Sequence, residues 1–175
     1  MKPGQNVLIY DDAGDHAGLQ AAEIIAATGA RVEIMTRDRA FAPEVMAMNL
    51  VPYMRALQKR NVVFTVTYLL EEVRRQGNQV CAVIGSDYGG IRKEQLHDQI
   101  IVNHGTRPLD ELYFDLKALS SNRGEVDYEA LTTGGTQAVG KNPEGTFRLF
   151  RIGDAVAARN THAAIYDALR LVKDI

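Results

Sequence analysis

The chain has 175 residues, 46% of them hydrophobic, which is enough to bury the core of one ordinary domain, or of one domain and part of a second. Its 20 basic and 22 acidic residues leave a formal net charge of -2, so no electrostatic footprint for nucleic acid or an anionic membrane is present. The apolar runs are short and broken by charge, and residues 1–5 carry no charged-plus-apolar leader, so the expected setting is the cytoplasm.

In chain order, Asn6 to Tyr10 (NVLIY) is a short apolar run of the kind that forms a buried parallel strand. A Gly-containing turn follows. Ala17, Leu19, Ala22, Ile24, Ile25 and Ala26 then make an Ala-rich helix, with Gly29 placed as its C-terminal glycine. Arg31 to Thr36 (RVEIMT) is a second strand, and strand, helix and strand within about thirty residues make a right-handed βαβ unit. Pro43 suits the first turn of a helix through Val45, Met46 and Met48, which Pro52 kinks or restarts toward Leu57. Asn61 to Val66 is a third strand. The pattern then changes: Tyr68 to Arg75 and Gln79 to Ser86 alternate around Gly77-Asn78 as a hairpin, and Ile91 to Leu96 completes an antiparallel meander. Gln99 to Asn103 returns to the parallel sheet, and a helix is expected over about Leu109 to Leu119. Ser120 to Gly145 holds two clusters of turn residues and reads as irregular. Phe147 to Ile152 (FRLFRI) reads as a strand, followed by Gly153-Asp154 and a helix with Ala163, Ala164, Ile165, Ala168, Leu169 and Val172 on its apolar side.

Three places have the residue types a nucleotide site needs. The turn Asp11 to Gly18 (DDAGDHAG) lies where a dinucleotide fold uses glycines to turn tightly, approach a pyrophosphate and pack the helix on the strand. Here Ala13 and Asp15 stand at the first two glycine positions, and a carboxylate facing phosphates opposes binding; Asp15 has an alternative role as helix cap. His16 reads as an exposed first-turn residue. At the end of the second strand, Arg37, Asp38 and Arg39 either suit a 2′-phosphate, and so NADP(H), or are solvated surface. At Gly153-Asp154, an aspartate at a strand's carboxyl end could hydrogen-bond ribityl or ribose hydroxyls, or form a turn and cap. Cys81, the single cysteine, excludes an internal disulfide and an iron–sulfur cluster ligated by this chain alone, and reads as a small buried hydrophobe in a strand. No nucleophile–base pair or metal-ligand set is evident, so no catalytic residue is assigned.

The stretches VLIYDDAGDHAGLQAAEIIAATGARVEIMT, NHGTRPLDELYFDLK and LFRIGDAVAARNTHAAIYDALRLVKDI resemble the C-terminal region of the trimethylamine dehydrogenase, histamine dehydrogenase and 2,4-dienoyl-CoA reductase group of NADH:flavin oxidoreductases, including N-methylproline demethylase-like members. The resemblance implies an α/β, Rossmann-like three-layer nucleotide-binding domain with a β-meander over residues 1–107. It further implies that residues 108–175 are a connecting helix, an irregular segment and the terminal part of a truncated FAD-type domain. It implies a parent with an N-terminal FMN barrel and a cysteine-ligated iron–sulfur cluster, and that barrel as the partner of this chain, which does not catalyse alone. Asp12, Gly14, Gly18 and Arg37 would mark the NAD(P)H-type cleft, and Gly153, Asp154 and Ala155 would contact FAD or ADP. Truncation would leave apolar surface that invites a homodimer. The alternative from another class is a stand-alone nucleotide-binding or scaffold module without redox activity.

Overall fold

The computed structural model describes residues 1–172, which fall into two compact units that divide after Gly105. Unit 1 is a three-layer α/β body. Strand β1 (Asn6–Asp11) lies inside a parallel sheet of order β3-β2-β1-β7, between β2 (Arg31–Met35) and β7 (Gln99–Asn103), with β3 (Val63–Thr65) pairing on the outer side of β2. The register sets Ile9 beside Ile34 and beside Ile101, and Asp11 beside Asn103.

Alternation along β1 explains the layering, because successive side chains leave opposite faces of a strand. Val7 and Ile9 join Val32 and Ile34 under helix α1 (His16–Ala27), with Leu19, Ala22, Ile25 and Leu57 completing that core. Leu8 and Tyr10 leave the other face and pack with Met35, Ala82 and Ile84. The last two belong to the meander β4 (Leu69–Gln76), β5 (Gln79–Gly85) and β6 (Arg92–His97), an antiparallel sheet of that order turning at Gly77 with φ 60°. Cys81 is a buried residue of β5 whose thiol is pushed up by burial.

Helix α2 (Ala47–Gln58) departs from the sequence expectation in two ways. Pro43 lies outside it, in a turn before the helix, and Pro52 sits within it without ending it. The missing Pro52 N–H removes one intrahelical bond, and burial of Leu57 on the α1 core keeps the helix attached.

Unit 2 contains α3 (Glu111–Lys117), α4 (Tyr128–Thr133), a single 3₁₀ turn at Gly153–Ala155 and α5 (Thr161–Val172). Helix α4 lies inside the stretch expected to be irregular. Its signals are local: the Asp127 side chain accepts the Ala130 N–H at 3.0 Å, and Gly134 ends it in the left-handed region at φ 74°. Phe147 to Ile152, expected as a strand, is not one. A strand is defined by a ladder with a neighbour, and the described residues of unit 2 contain no sheet for it to join.

Candidate functional site

Strand β1 carries Asp11 to the carboxyl end of the parallel sheet, where it is 1% exposed. Its Oδ1 accepts the Gly14 N–H at 3.2 Å and an Asn103 Nδ2–H at 2.9 Å. Asp15 is the N-cap of α1: its Oδ1 accepts the Ala17 N–H at 2.9 Å and a hydrogen bond from Asn103 Nδ2 at 3.2 Å. One amide group thus ties two carboxylates together across the helix N-terminus. Burial pushes the Asp11 carboxyl above its ordinary value, and the bonds from Gly14 and Asn103 oppose that shift.

The glycines of this turn have packing reasons of their own. A Cβ on Gly18 would stand 2.5 Å from Asp11 Cγ and Oδ2, so the absence of a side chain lets α1 close onto the buried carboxylate. Gly14 has φ 66°, and a Cβ there would meet Pro43 Cδ at 2.7 Å. Asp12 points outward, 3.3 Å from His104 Nδ1. It also borders a groove of about 710 Å³ with Arg37, Arg39 and Tyr88. Within that groove Arg37 pairs with Asp87 at 3.3 Å, and Arg39 Nε donates to the Tyr88 hydroxyl at 3.0 Å. The hydroxyl of fully buried Tyr10 has no hydrogen-bond partner, and burial, then the Asp12 charge, push its pKa up while the Leu70 backbone opposes that shift.

A dinucleotide's pyrophosphate binds such a turn through free backbone N–H groups and the positive end of the helix dipole. Here the Gly14 and Ala17 N–H groups are already held by Asp11 and Asp15, and Asp12 adds a third carboxylate. The residues present do not fit a pyrophosphate. Asn103 was invisible as a site residue from its neighbours in sequence; the signal was its place at the end of a strand that pairs with β1.

In unit 2, Gly153 has φ 57° and its N–H donates to Asp167 Oδ2 at 3.1 Å, while a Cβ would lie 3.0 Å from Ala164 Cβ. Asp167 also binds Arg159. The exposed Asp154 carboxylate has no hydrogen bond among the described residues, which suits it to a ligand hydroxyl. Ala155 offers its carbonyl to Arg151, whose guanidinium pairs with Asp110 at 2.9 Å and lies 4.8 Å from the Tyr113 ring centre. Of the sequence-derived site residues, Asp12 and Arg37 border one groove and Gly14 and Gly18 flank the α1 turn beside it. Gly153, Asp154 and Ala155 form the 3₁₀ turn of unit 2. No group of three or more metal-ligating side chains occurs among the described residues, and none of their helices is long and apolar enough to cross a membrane.

Comparison with known proteins adds the wider setting. No protein-family model matches the chain. It is 70% identical over 174 residues to a probable N-methylproline demethylase of Rhizobium meliloti, covering 99% of this chain and 26% of that protein. The chain is thus similar to one region of proteins named for the demethylation or dehydrogenation of N-methylated amino acids. An N,N-dimethylglycine/sarcosine dehydrogenase of Chromohalobacter salexigens is 42% identical over 178 residues, again 99% of this chain and 26% of its own length. The chain therefore spans about a quarter of these curated relatives. In structure, histamine dehydrogenase from Rhizobium sp. 4-9 superposes with a TM-score of 0.68 at 20% identity, covering 96% of this chain and 22% of that one. Thioredoxin reductase of Lactococcus lactis superposes with a TM-score of 0.62 at 18% identity, covering 97% and 51%. These likenesses establish the α/β fold of the chain.

Proposed function

We propose that these residues are the nucleotide-domain region of a cytoplasmic amine dehydrogenase or demethylase that acts on N-methylated amino acids, with an N-terminal FMN barrel and iron–sulfur cluster supplying the chemistry. The support is similarity over 99% of the chain to relatives named for N-methylproline and for N,N-dimethylglycine and sarcosine. A flavin bound in such a parent accepts the electrons removed from the amine. The part of this chain is to hold a nucleotide, and Gly153, Asp154 and Ala155 are the candidate contacts: Asp154 accepts a hydrogen bond from a ribose or ribityl hydroxyl. In the first unit, Asp11 and Asp15 stand where phosphates would, so Gly14 and Gly18 serve packing, and Asp12 and Arg37 pair internally.

The observation that carries the reading of the α1 turn as closed to a pyridine nucleotide is the bridge of Asn103 to both carboxylates. Calorimetric titration with NADH, NADPH, ADP and FAD in parallel tests it. No saturable uptake of either pyridine nucleotide is expected. Saturable binding of NADH or NADPH that disappears in Gly18→Val would show that the α1 turn is a working cleft and sink the assignment. For the parent, oxidation of N-methylproline, dimethylglycine and sarcosine is to be compared with that of unmethylated proline and glycine; equal rates would remove the substrate proposal.

A further inference from the structure

A cavity of about 840 Å³ opens at the amino ends of β1 and β2, the opposite end of the parallel sheet from Asp11 and the α1 turn. That volume is within the range of small-molecule sites. Arg31 and Glu33 leave the same face of β2, two residues and so roughly 7 Å apart along the strand. Arg60, Val63, Leu96 and His97 complete the part of the lining that sets its chemistry.

Two hydrogen-bond acceptors stand inside this cavity. Glu33 Oε1 accepts the Thr65 hydroxyl at 2.6 Å, and Glu33 Oε2 has no hydrogen bond among the described residues. His97 is 7% exposed, with Nε2 3.3 Å from Gln95 Oε1. Because the Gln95 oxygen accepts, Nε2 carries the ring proton, and Nδ1 is left as an acceptor. Burial favours this neutral ring, against the charges of Glu33 and Asp98. Nδ1 has no partner among the described residues, yet unlike the Tyr10 hydroxyl it is not sealed from solvent, so it opens to the cavity that the ring lines. The exposed guanidinium groups of Arg31 and Arg60 have no ion pair among the described residues. Val63 and Leu96 add apolar surface that is 54% and 45% exposed.

This combination discriminates among ligand classes. A metal ion finds only two ligating side chains, and no group of three occurs among the described residues. A simple anion meets the Glu33 carboxylate, and a simple cation meets the two arginines. A small molecule carrying both charges on an apolar body satisfies every group. We propose that this groove binds a free amino acid of the proline kind, its ammonium donating to Glu33 Oε2 and His97 Nδ1, its carboxylate on Arg31 and Arg60, and its carbons against Val63 and Leu96. A secondary ammonium has two N–H donors for the two acceptors, whereas its N-methylated form has one, so the groove selects the unmethylated amino acid. That such an amino acid is the product of the parent rests on the reading above; the binding itself does not.

The test is calorimetric titration of the full 175-residue chain with L-proline, L-proline methyl ester, cyclopentanecarboxylate and N-methylproline. The ester keeps the ammonium without the carboxylate, and cyclopentanecarboxylate keeps the carboxylate without the amine. Saturable binding of proline is expected, with each of the other three weaker by about tenfold or more. Arg31→Gln, at an exposed position, and Glu33→Gln, which keeps an oxygen for Thr65, should each weaken proline binding by about tenfold, with circular dichroism and Tm confirming that both variants are folded. No saturable uptake of proline by the folded chain overturns the site, and so does binding indifferent to either substitution. Equal binding of the ester or of cyclopentanecarboxylate overturns the zwitterionic ligand, and equal binding of N-methylproline overturns the two-acceptor geometry. None of these results touches the functional reading, which stands or falls on oxidation of N-methylated amino acids by the parent.

Discussion

Replacing Gly18 by Ala places a methyl group 2.5 Å from the Cγ and Oδ2 of Asp11, where ordinary contact needs about 3.5 Å or more. Asp11 is 1% exposed and held by Gly14 and Asn103, so it has nowhere to retreat without giving up those bonds. Overpacking of this order costs about 1–3 kcal/mol, and a loosened hydrogen bond to a buried charge adds about 1–3 kcal/mol. Alanine in a helix returns about 1 kcal/mol over glycine. The net expectation is destabilisation by roughly 1–5 kcal/mol. Asp11→Ala alone should cost about 1–3 kcal/mol, because the Gly14 N–H and the Asn103 amide lose a buried acceptor. The double variant should be no worse than Asp11→Ala, since the methyl then enters the space the carboxylate left, giving a favourable coupling of about 1 kcal/mol or more. The assay is urea unfolding followed through the amide protection of α1 and β1, which isolates unit 1 from the remainder of the chain. If Gly18→Ala is as stable as the parent, or Asp11→Ala fails to rescue it, the close approach is not what selects glycine here.

Three further outcomes follow from the same region. Burial holds the Asp11 carboxyl above its usual value, so between the unfolded value near 3.9 and the raised native one the folded chain binds more protons and stability falls as pH rises. Asp11→Asn should flatten that acid-side slope in urea midpoints measured across pH, and an unchanged slope would assign it elsewhere. Tyr10→Phe deletes a buried hydroxyl with no partner, so unit 1 should hold its stability or gain about 1 kcal/mol, roughly 4 °C in Tm; a loss of that size would mean the hydroxyl is bonded in solution. Gly14→Ala meets both the left-handed backbone and Pro43, and should cost about 2–4 kcal/mol in thermal or urea unfolding, whereas a purely ligand-related glycine would leave stability unchanged.

The unequal legibility of the two units has a physical cause. In unit 1, β1 and β2 are apolar runs buried on both faces of their sheet, and the meander alternates around a Gly-Asn turn, so pattern and environment agree and the predicted elements match those observed within a residue or two. The exception, α2, shows tertiary contact through Leu57 overriding a proline that local rules would place at a break. The site is legible in part. Asp15 as a cap could be read from residue type, but its link through Asn103 to Asp11 depends on two strand ends brought side by side across 92 positions of sequence, and no local pattern encodes that. In unit 2 the pattern FRLFRI is strand-like and the structure gives no strand. That disagreement is informative because β-propensity describes fitness for a half-buried sheet surface and not an intrinsic backbone preference. Local signals for a βα unit thus persist in residues 147–172, while the described residues of unit 2 form no sheet for the strand-like run to join.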